Sequence, residues 1–155
     1  MLDHIAYRVK DRLAAVEQHK QLGYREETVF VVPFGDGSEA RCSVMIPLVG
    51  PEVFISEGTP GSIVDRWVDN HGGVGAVHHI AYQSVNVQRT MDELKAQGVQ
   101  FLSDAPLTCP GLVQVFTKPD PTTGIIYEYI ERHGENGFCE ENVKDLMEST
   151  DDDRG

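Results

Sequence analysis

The sequence predicts an α+β fold in which two tandem βαβββ modules form one curved, half-open mixed sheet, followed by a C-terminal helix. The motif His-Ile-Ala-Tyr occurs at His4–Tyr7 and again, 75 residues later, at His79–Tyr82. The same offset aligns Gly23 with Gly98, together with the lysine three residues before each glycine. Because both matches share one register, they indicate a duplicated module rather than a chance repeat.

Module one is predicted to span residues 1–57 and begins with a strand at 2–9, where the two faces alternate. Asp11 can cap a helix that starts near Arg12 and ends at Gly23, because a short acidic side chain accepts from the free N–H groups of a first turn. The rest of the module is predicted to consist of strands at 28–33, 41–48 and 52–56, with a turn at 35–38.

Residues 58–75 are predicted to link the modules through a short helix at about 62–70. The glycines at 72–75 lack the spacing of a nucleotide-binding loop, so we interpret them as part of the linker. Module two, residues 76–132, is predicted to repeat the order of module one. Its predicted elements are strands at 76–84, 100–102, 112–117 and 124–131, a helix at 87–97 and a turn at 120–124. A C-terminal helix at about 140–149 and an acidic tail complete the final segment, 133–155.

Composition and charge narrow the class of protein. At 155 residues and 40% hydrophobic content, the chain is expected to form a single soluble domain without a membrane span. Its formal net charge of −12 argues against nucleic acid as a partner, because phosphate binding needs a basic face. Cys42, Cys109 and Cys139 lack Cys-x-x-Cys spacing, so we expect neither a disulfide framework nor a zinc knuckle. With no recognisable secretory signal, these features predict a cytoplasmic protein.

Equivalent positions of two paired modules should face each other across the cavity of the curved sheet. His4 and His79 occupy the same position in their strands, so both are expected to point into that cavity. Glu128 lies in an apolar strand, where a buried carboxylate is costly unless it is paired or binds a metal. Two imidazoles and one carboxylate suit non-haem Fe(II) and also other divalent ions. We therefore predict that these three residues hold one divalent metal ion, with Fe(II) favoured and Mn, Co or Zn as alternatives.

Neighbouring positions are predicted to stay outside this ligand set. Strand alternation places His78 on the face opposite the predicted ligands. The position equivalent to Glu128 in module one is Val53, beside Phe54, and neither side chain binds a metal. A slip of one residue would bring Glu52 into the site, so a fourth ligand or a base at Glu52 is a less favoured alternative.

Two sets of residues resemble known families of the vicinal-oxygen-chelate superfamily, and the likeness extends to about Ser149. Gly72–Tyr82 and Leu94–Val99 are similar to methylmalonyl-CoA epimerase. The longer set resembles the catalytic half of 4-hydroxyphenylpyruvate dioxygenase and comprises Leu112–Pro119, Tyr127–Arg132 and Gly137–Leu146. Because it is longer, keeps its order and includes the C-terminal helix, we regard this second resemblance as the more specific.

The dioxygenase resemblance implies roles for residues of this chain. It implies iron ligands at His4, His79 and Glu128, and the lack of a fourth ligand agrees with it. It also implies a substrate pocket that includes a catalytic glutamine and three further side chains, namely Gln114, Phe116, Phe138 and Asn142. Gln114 would form a hydrogen bond to the substrate, and the phenylalanines would form an apolar wall.

The chain departs from that family at several places. The N-terminal, non-catalytic half is missing, and His78 stands where the family has glutamine. Ser56, a candidate substrate-binding residue, stands in the region of a pocket asparagine, and Ile63 replaces another pocket glutamine. The polar set that would orient 4-hydroxyphenylpyruvate is therefore mostly absent, so the resemblance implies the metal site more firmly than this substrate.

Three functions remain open at this stage. The leading one is an Fe(II) dioxygenase-like enzyme acting on a small chelating substrate such as a 2-oxo acid. The first alternative is a redox-neutral epimerase, isomerase or lyase, in which the metal stabilises an enolate and a base such as Glu52 removes a proton. The second is a non-enzymatic small-molecule binding (resistance) protein, against which the apparent ligand triad counts. Exposed strand edges also predict a homodimer.

Overall fold

The strands of both predicted modules lie in one sheet. A computed structural model describes residues 1–134 and 137–150, so the acidic end predicted at 151–155 lies outside the described residues. The helices of this part of the chain are α1 (Arg12–Gln21), α2 (Ile63–Asp69), α3 (Val87–Ala96) and α4 (Glu140–Ser149). The strands are β1 (Leu2–Val9), β2 (Arg25–Pro33), β3 (Glu39–Ile46), β4 (Glu52–Gly58), β5 (Gly75–Gln83), β6 (Leu107–Cys109), β7 (Leu112–Phe116) and β8 (Ile126–Arg132). No helix within these two ranges is long and apolar enough to cross a membrane.

The strand order β2-β3-β4-β1-β5-β8-β7-β6 shows the duplication directly, because each half of the sheet repeats the order of the other. The first strands of the two modules, β1 and β5, pair antiparallel at the centre. Each of them also pairs parallel with the last strand of its own module, β4 or β8. The predicted α+β fold with a curved mixed sheet is confirmed, and its centre lies where the two repeated strands meet.

Local sequence signals account for most element boundaries. The Asp11 side chain caps α1 by accepting from the backbone N–H of Ala14 at 3.0 Å, as predicted. Ser62 caps α2 in the same way through the backbone N–H of Asp65. The C-terminal helix has the predicted bounds, since α4 spans Glu140–Ser149.

The strand predicted at residues 100–102 is wrong. In the structure Phe101 forms only an isolated bridge to Thr117, across the end of β7. The edge strand is instead β6, which pairs with β7 over three residues only. Prolines at positions 106 and 110 flank this strand. Because proline is unfavourable in a strand ladder except at an edge, the local sequence does not indicate a strand here.

The helices cover the two faces of the sheet. On one face Val16 of α1 packs against Met45, Val53 and Ile55, and α3 packs similarly in module two through Val87 and Met91. On the other face α4 places Met147 in a cluster with Phe54 and Val64, and Leu146 in a cluster with Phe116 and Ile126. Each such buried side chain contributes roughly 1.5–3 kcal/mol, so α4 is an integral part of the core over this face.

Cys109 and Cys139 form a disulfide, contrary to the expectation from their spacing that the cysteines form no disulfide framework. The two residues are 30 positions apart in sequence. Cys109 lies on β6 and Cys139 is the N-cap residue of α4, so the bond ties the start of α4 to the edge of the sheet. A pairing made by tertiary contact between distant elements leaves no spacing signature in the sequence.

Reduction of this disulfide is expected to lower the free energy of unfolding by about 3.5 kcal/mol, because the bond restricts a loop of roughly 30 residues in the unfolded chain. Urea unfolding with and without tris(2-carboxyethyl)phosphine measures the difference. Cys109→Ser should unfold like the reduced wild type and should not respond to the reductant. Equal stability of the oxidised and reduced wild type would contradict the prediction.

Candidate metal centre

Three side chains from three central strands converge on one point. They are His4 of β1, His79 of β5 and Glu128 of β8, and their ligand atoms all lie within 4.8 Å of one another. Glu128 Oε1 is 3.2 Å from His4 Nε2 and 3.3 Å from His79 Nε2. All three residues are buried. The structure therefore brings together the residues predicted to bind a metal.

The donor set fits a divalent cation. Within the described residues, the buried His4 Nε2 has no hydrogen-bond partner, although a carboxylate oxygen lies close to it. A buried polar atom without a partner is costly, and a cation between these atoms would satisfy His4 and the carboxylate together. Imidazole nitrogens combined with a carboxylate oxygen suit Fe, Mn, Co and Zn.

Asp3 positions His4 from behind. His4 Nδ1 donates to Asp3 Oδ2 at 2.7 Å, which leaves Nε2 to face Glu128. Arg132 in turn donates to Asp3 from Nε and Nη2, both at 2.9 Å, and Gln83 donates at 3.2 Å. A carboxylate that holds the second ring nitrogen is typical of metal-binding histidines. Sequence reasoning missed Asp3, although the adjacent Asp-His pair was an available signal.

A chain of amides positions Glu128 from the other side. Gln114 Nε2 donates to Glu128 Oε2 at 3.0 Å, and Asn142 Nδ2 donates to Gln114 Oε1 at 2.8 Å. All three side chains are buried. Gln114, predicted to contact substrate, is therefore engaged here by Glu128 and by α4. The link through Asn142 connects the position of α4 to the orientation of the carboxylate.

The prediction that His78 faces away from the site is wrong. Ala6 lies opposite His79 and Tyr7 opposite Val77, so β5 contains one extra residue at this point. Such a bulge interrupts the alternation of faces on which the prediction rested. His78 consequently lines the same cavity as His79, with their Nδ1 atoms 3.0 Å apart.

A cavity of about 30 Å³ adjoins the three predicted ligands. Four predicted pocket residues line it, namely Ser56, Gln114, Phe116 and Phe138. The fifth, Asn142, acts through its bond to Gln114. Val143, Leu146 and Met147 close the cavity from α4. A volume of this size holds one or two water molecules, so an organic ligand requires α4 to shift.

The charges of the metal-free site are coupled. Burial alone would lower the pKa of His4, but the carboxylates of Glu128 and Asp3 outweigh burial and raise this pKa to about 9. Burial lowers the pKa of His79, against the opposing effect of Glu128. Burial would raise the pKa of Glu128, yet the two histidines hold it well below its usual range. Without metal, the site at neutral pH thus holds a protonated His4 beside an ionised Glu128.

Metal-free protein is expected to lose stability as the pH rises from about 6.5 to about 9. His4 has a folded-state pKa of about 9 against an ordinary value of 6.5, so its stabilisation is complete below pH 6.5 and is lost as the pH passes 9. The total corresponds to at most about 3 kcal/mol. The pKa values of His78 and His79 are lowered, so both residues affect stability only at more acidic pH.

Urea unfolding of chelator-treated protein between pH 6 and 10 measures this dependence. His4→Gln should flatten the curve, whereas His133→Gln, a substitution of an exposed histidine, should leave it unchanged. A curve of the same slope in His4→Gln would show that another group is responsible.

Comparison with known proteins agrees with this architecture. Residues 2–108 match the family model described as the Glyoxalase/Bleomycin resistance protein/Dioxygenase superfamily. A triple mutant of 4-hydroxymandelate synthase from Streptomyces coelicolor is 21% identical, with a TM-score of 0.84, and the match covers 100% of this chain and 54% of that chain. This chain therefore spans about half the length of that synthase.

Two epimerase structures are also similar. Methylmalonyl-CoA epimerase from Mycobacterium tuberculosis is 19% identical, with a TM-score of 0.66, and the match covers 85% of this chain and 87% of that chain. A variant of the Streptomyces coelicolor epimerase in complex with 2-nitronate-propionyl-CoA is 21% identical, with a TM-score of 0.62, and coverage of 89% and 98%. At these identities the likeness demonstrates a shared fold.

Proposed function

The chain belongs to the glyoxalase/bleomycin resistance protein/dioxygenase superfamily, and on that premise we propose that it is a metal-dependent enzyme with a non-haem Fe(II) dioxygenase-like site. The proposed substrate is a small chelating molecule of the 2-oxo acid type. The convergence of His4, His79 and Glu128 beside a buried cavity carries this proposal. Two imidazoles and one carboxylate leave coordination positions open, an arrangement typical of non-haem Fe(II) oxygenases.

The symmetric position in module one supports a site with three protein ligands. The predicted equivalence of Val53 with Glu128 is wrong by one residue, because Ala6 lies opposite Phe54 as Ala81 lies opposite Glu128. Phe54 of β4 lines the cavity, whereas Val53 packs beneath α1 on the opposite face. Neither side chain offers a donor atom, so the proposed ion keeps positions free for substrate.

The residues of the chain have distinct roles in this proposal. A bound Fe(II) would act as a Lewis acid and as a template for the chelating oxygens of the substrate. Asp3, held by Arg132, keeps the Nε2 atom of His4 directed at the site. Gln114 orients Glu128, and we propose that it also donates to the substrate when α4 shifts. The phenylalanine side chains of the wall would shield a bound substrate from solvent.

The first test is metal content followed by oxygen consumption. Protein prepared anaerobically is offered equimolar Fe(II), Mn(II) and Zn(II), and bound metal per chain is measured. The iron-loaded protein is then given oxygen with a panel of 2-oxo acids. We expect about one iron per chain and oxygen uptake that depends on a 2-oxo acid. Failure to bind any of these ions would overturn the proposal of a metal-dependent enzyme.

A redox-neutral epimerase or lyase is the second candidate function, and Glu52 is the observation that favours it. Burial raises the pKa of the Glu52 carboxyl, and its Oε2 atom has no hydrogen-bond partner in the described part of the chain. Its Cα atom lies opposite that of His4 in the β1–β4 pair, although its side chain is not part of the cavity lining. A carboxylate with a raised pKa is suited to proton abstraction. Turnover without oxygen on Mn, Co or Zn would favour this function.

Two further proposals concern assembly and the third open function. We propose a homodimer, because β2 and β6 form the edges of the sheet, and sedimentation analysis tests it.

A third candidate function is a non-enzymatic binding protein. Such a protein would retain an apolar small molecule without metal, which mass spectrometry of freshly purified protein would detect. The cytoplasmic location stays a prediction from sequence, and the Cys109–Cys139 disulfide removes the cysteine argument for it.

A further inference from the structure

We propose that the cavity takes a substrate with a second carboxylate, which binds Arg8 at the end of β1 away from His4. This inference rests on the proposed function and deepens it, because it assigns a substrate class to the same cavity. The substrate would chelate at the predicted metal ligands through a 2-oxo acid group and present its other carboxylate to the Arg8 guanidinium.

Arg8 is part of the cavity wall. It lies on the same face of β1 as His4 and Ala6, with its Cα atom about 13 Å from that of His4 at ordinary strand rise. Its side chain lines the cavity and the residue is only 3% exposed. A guanidinium keeps its charge even when buried, so this wall carries a permanent positive charge at a fixed distance from the ligand triad.

The guanidinium is held in a defined orientation. Its Cζ atom lies 5.4 Å from the centre of the Trp67 ring, an arrangement that stabilises the cation through the ring face. Arg8 Nη2 also donates to Thr150 Oγ1 at 3.2 Å, at the end of α4. This bond would break or move with α4 when the helix shifts to admit an organic ligand, whereas the contact with Trp67 does not involve α4. A planar guanidinium held against the Trp67 ring matches the geometry of a carboxylate, to which arginine binds through two parallel hydrogen bonds.

Two polar side chains near Arg8 would complete the carboxylate subsite. Ser56 faces the same cavity from β4, with its Cα atom opposite that of Arg8. His78 packs edge-on against Trp67 at 5.2 Å between ring centres. The His78 Nε2 atom is buried and has no hydrogen-bond partner among the described residues, although the residue is only 2% exposed. An unsatisfied buried nitrogen on a cavity wall points to a polar group supplied from outside the chain.

The middle of the cavity is apolar. Ala6 separates His4 from Arg8 on β1, and Phe54 and Met147 line the same space. A ligand that matches these three parts of the cavity has a chelating group at one end, a hydrocarbon chain in the middle and an anionic group at the other end. A 2-oxo dicarboxylic acid has these three parts in this order.

The fluorescence of Trp67 reports directly on ligand binding at Arg8, because Trp67 is the single tryptophan of the chain and contacts Arg8. The experiment titrates Co(II)-loaded protein with matched pairs of acids and follows tryptophan fluorescence. The pairs are 2-oxoadipate against 2-oxohexanoate and 2-oxosuberate against 2-oxooctanoate, which differ in the distal carboxylate only. We expect at least one diacid to bind about 10- to 100-fold more tightly than its monoacid.

Substitutions of arginine separate the subsite from general effects of charge. Arg8→Gln should abolish the preference for the diacid while leaving Co(II) content and monoacid affinity unchanged. Arg8→Lys should retain part of the preference, which guards against misfolding of the first variant. Arg89→Gln removes the same charge from the exposed surface of α3 and should behave as wild type. Equal affinity of wild type for both members of each pair, no diacid binding, or equal weakening of both by Arg8→Gln would overturn the subsite.

A failure of the proposed metal-dependent function gives a different result from a failure of the carboxylate subsite. If the protein binds no Co(II), the metal site fails, and the subsite is then tested on metal-free protein with hexanoate against hexanamide. Hexanoate binding that changes Trp67 fluorescence and disappears in Arg8→Gln supports the subsite independently of metal. Absence of this binding overturns it.

Discussion

Glu128→Gln is expected to weaken divalent metal binding by at least about 100-fold. Loss of a residue that only supports a metal ligand costs 10- to 100-fold, and Glu128 supplies the one carboxylate of the donor set itself. Glutamine preserves the shape of the side chain but removes the negative charge that offsets the ion. Competition with a chromophoric chelator for Co(II) or Zn(II) gives the dissociation constants directly.

The exposed Glu17 provides a matched control, because Glu17→Gln removes the same charge outside the cavity. This variant should keep wild-type metal affinity. Glu128→Gln should also reduce the loss of stability of metal-free protein between pH 6.5 and 9, since Glu128 is the strongest influence raising the pKa of His4. Wild-type affinity in Glu128→Gln would remove this residue from the ligand set and with it the proposed iron site.

Asp3→Asn is expected to have the second largest effect, on both metal affinity and folding. Metal affinity should fall about 10- to 100-fold, because His4 loses the carboxylate that holds its Nδ1 atom. The free energy of unfolding should fall by about 2–4 kcal/mol, because a half-buried Arg132 loses the charged partner to which it donates twice. Isothermal metal titration and urea unfolding of the same preparation measure the two effects.

An exposed aspartate distinguishes positioning from a general effect of charge. Asp92→Asn on α3 removes a negative charge at the surface but keeps the oxygen that accepts from Gln88 Nε2, and it should change neither quantity. A variant of Asp3 that unfolds more easily but binds metal normally would show that Asp3 supports the fold alone. Asp3→Asn that is as stable as wild type would mean that the Asp3–Arg132 pair contributes nothing to folding.

The structure brings the three predicted ligands together as the short periodicities of the sequence indicated, whereas metal binding itself stays a prediction. The repeated His-Ile-Ala-Tyr motif identified His4 and His79 as equivalent positions, and pairing of β1 with β5 brings them together at the centre of the sheet. Alternation in β8 placed Glu128 on the face of Ile126 and Ile130, which the burial pattern confirms. These inferences need only the strand period of two and the symmetry of a duplicated module.

Predictions failed where one residue changed the register or where distant segments met. The extra residue in β5 turns His78 toward the cavity, and nothing in its local sequence marks the bulge. The isolated bridge of Phe101 and the short strand β6 depend on how the chain crosses the end of β7. The Cys109–Cys139 bond depends on the docking of α4 at that same edge.

The sequence by itself determined the duplicated α+β architecture, the family resemblance and the three residues that converge as candidate ligands. Tertiary structure alone decided which groups surround them: Asp3 and Arg132 behind His4, the amide chain from α4 to Glu128, and Arg8 at the far end of the cavity. The physical reason is the distance along the chain over which each kind of interaction acts. Periodicity and repeats reflect backbone geometry within one strand or helix, whereas hydrogen-bond partners and cavity walls form between elements far apart in the chain, and packing brings them together.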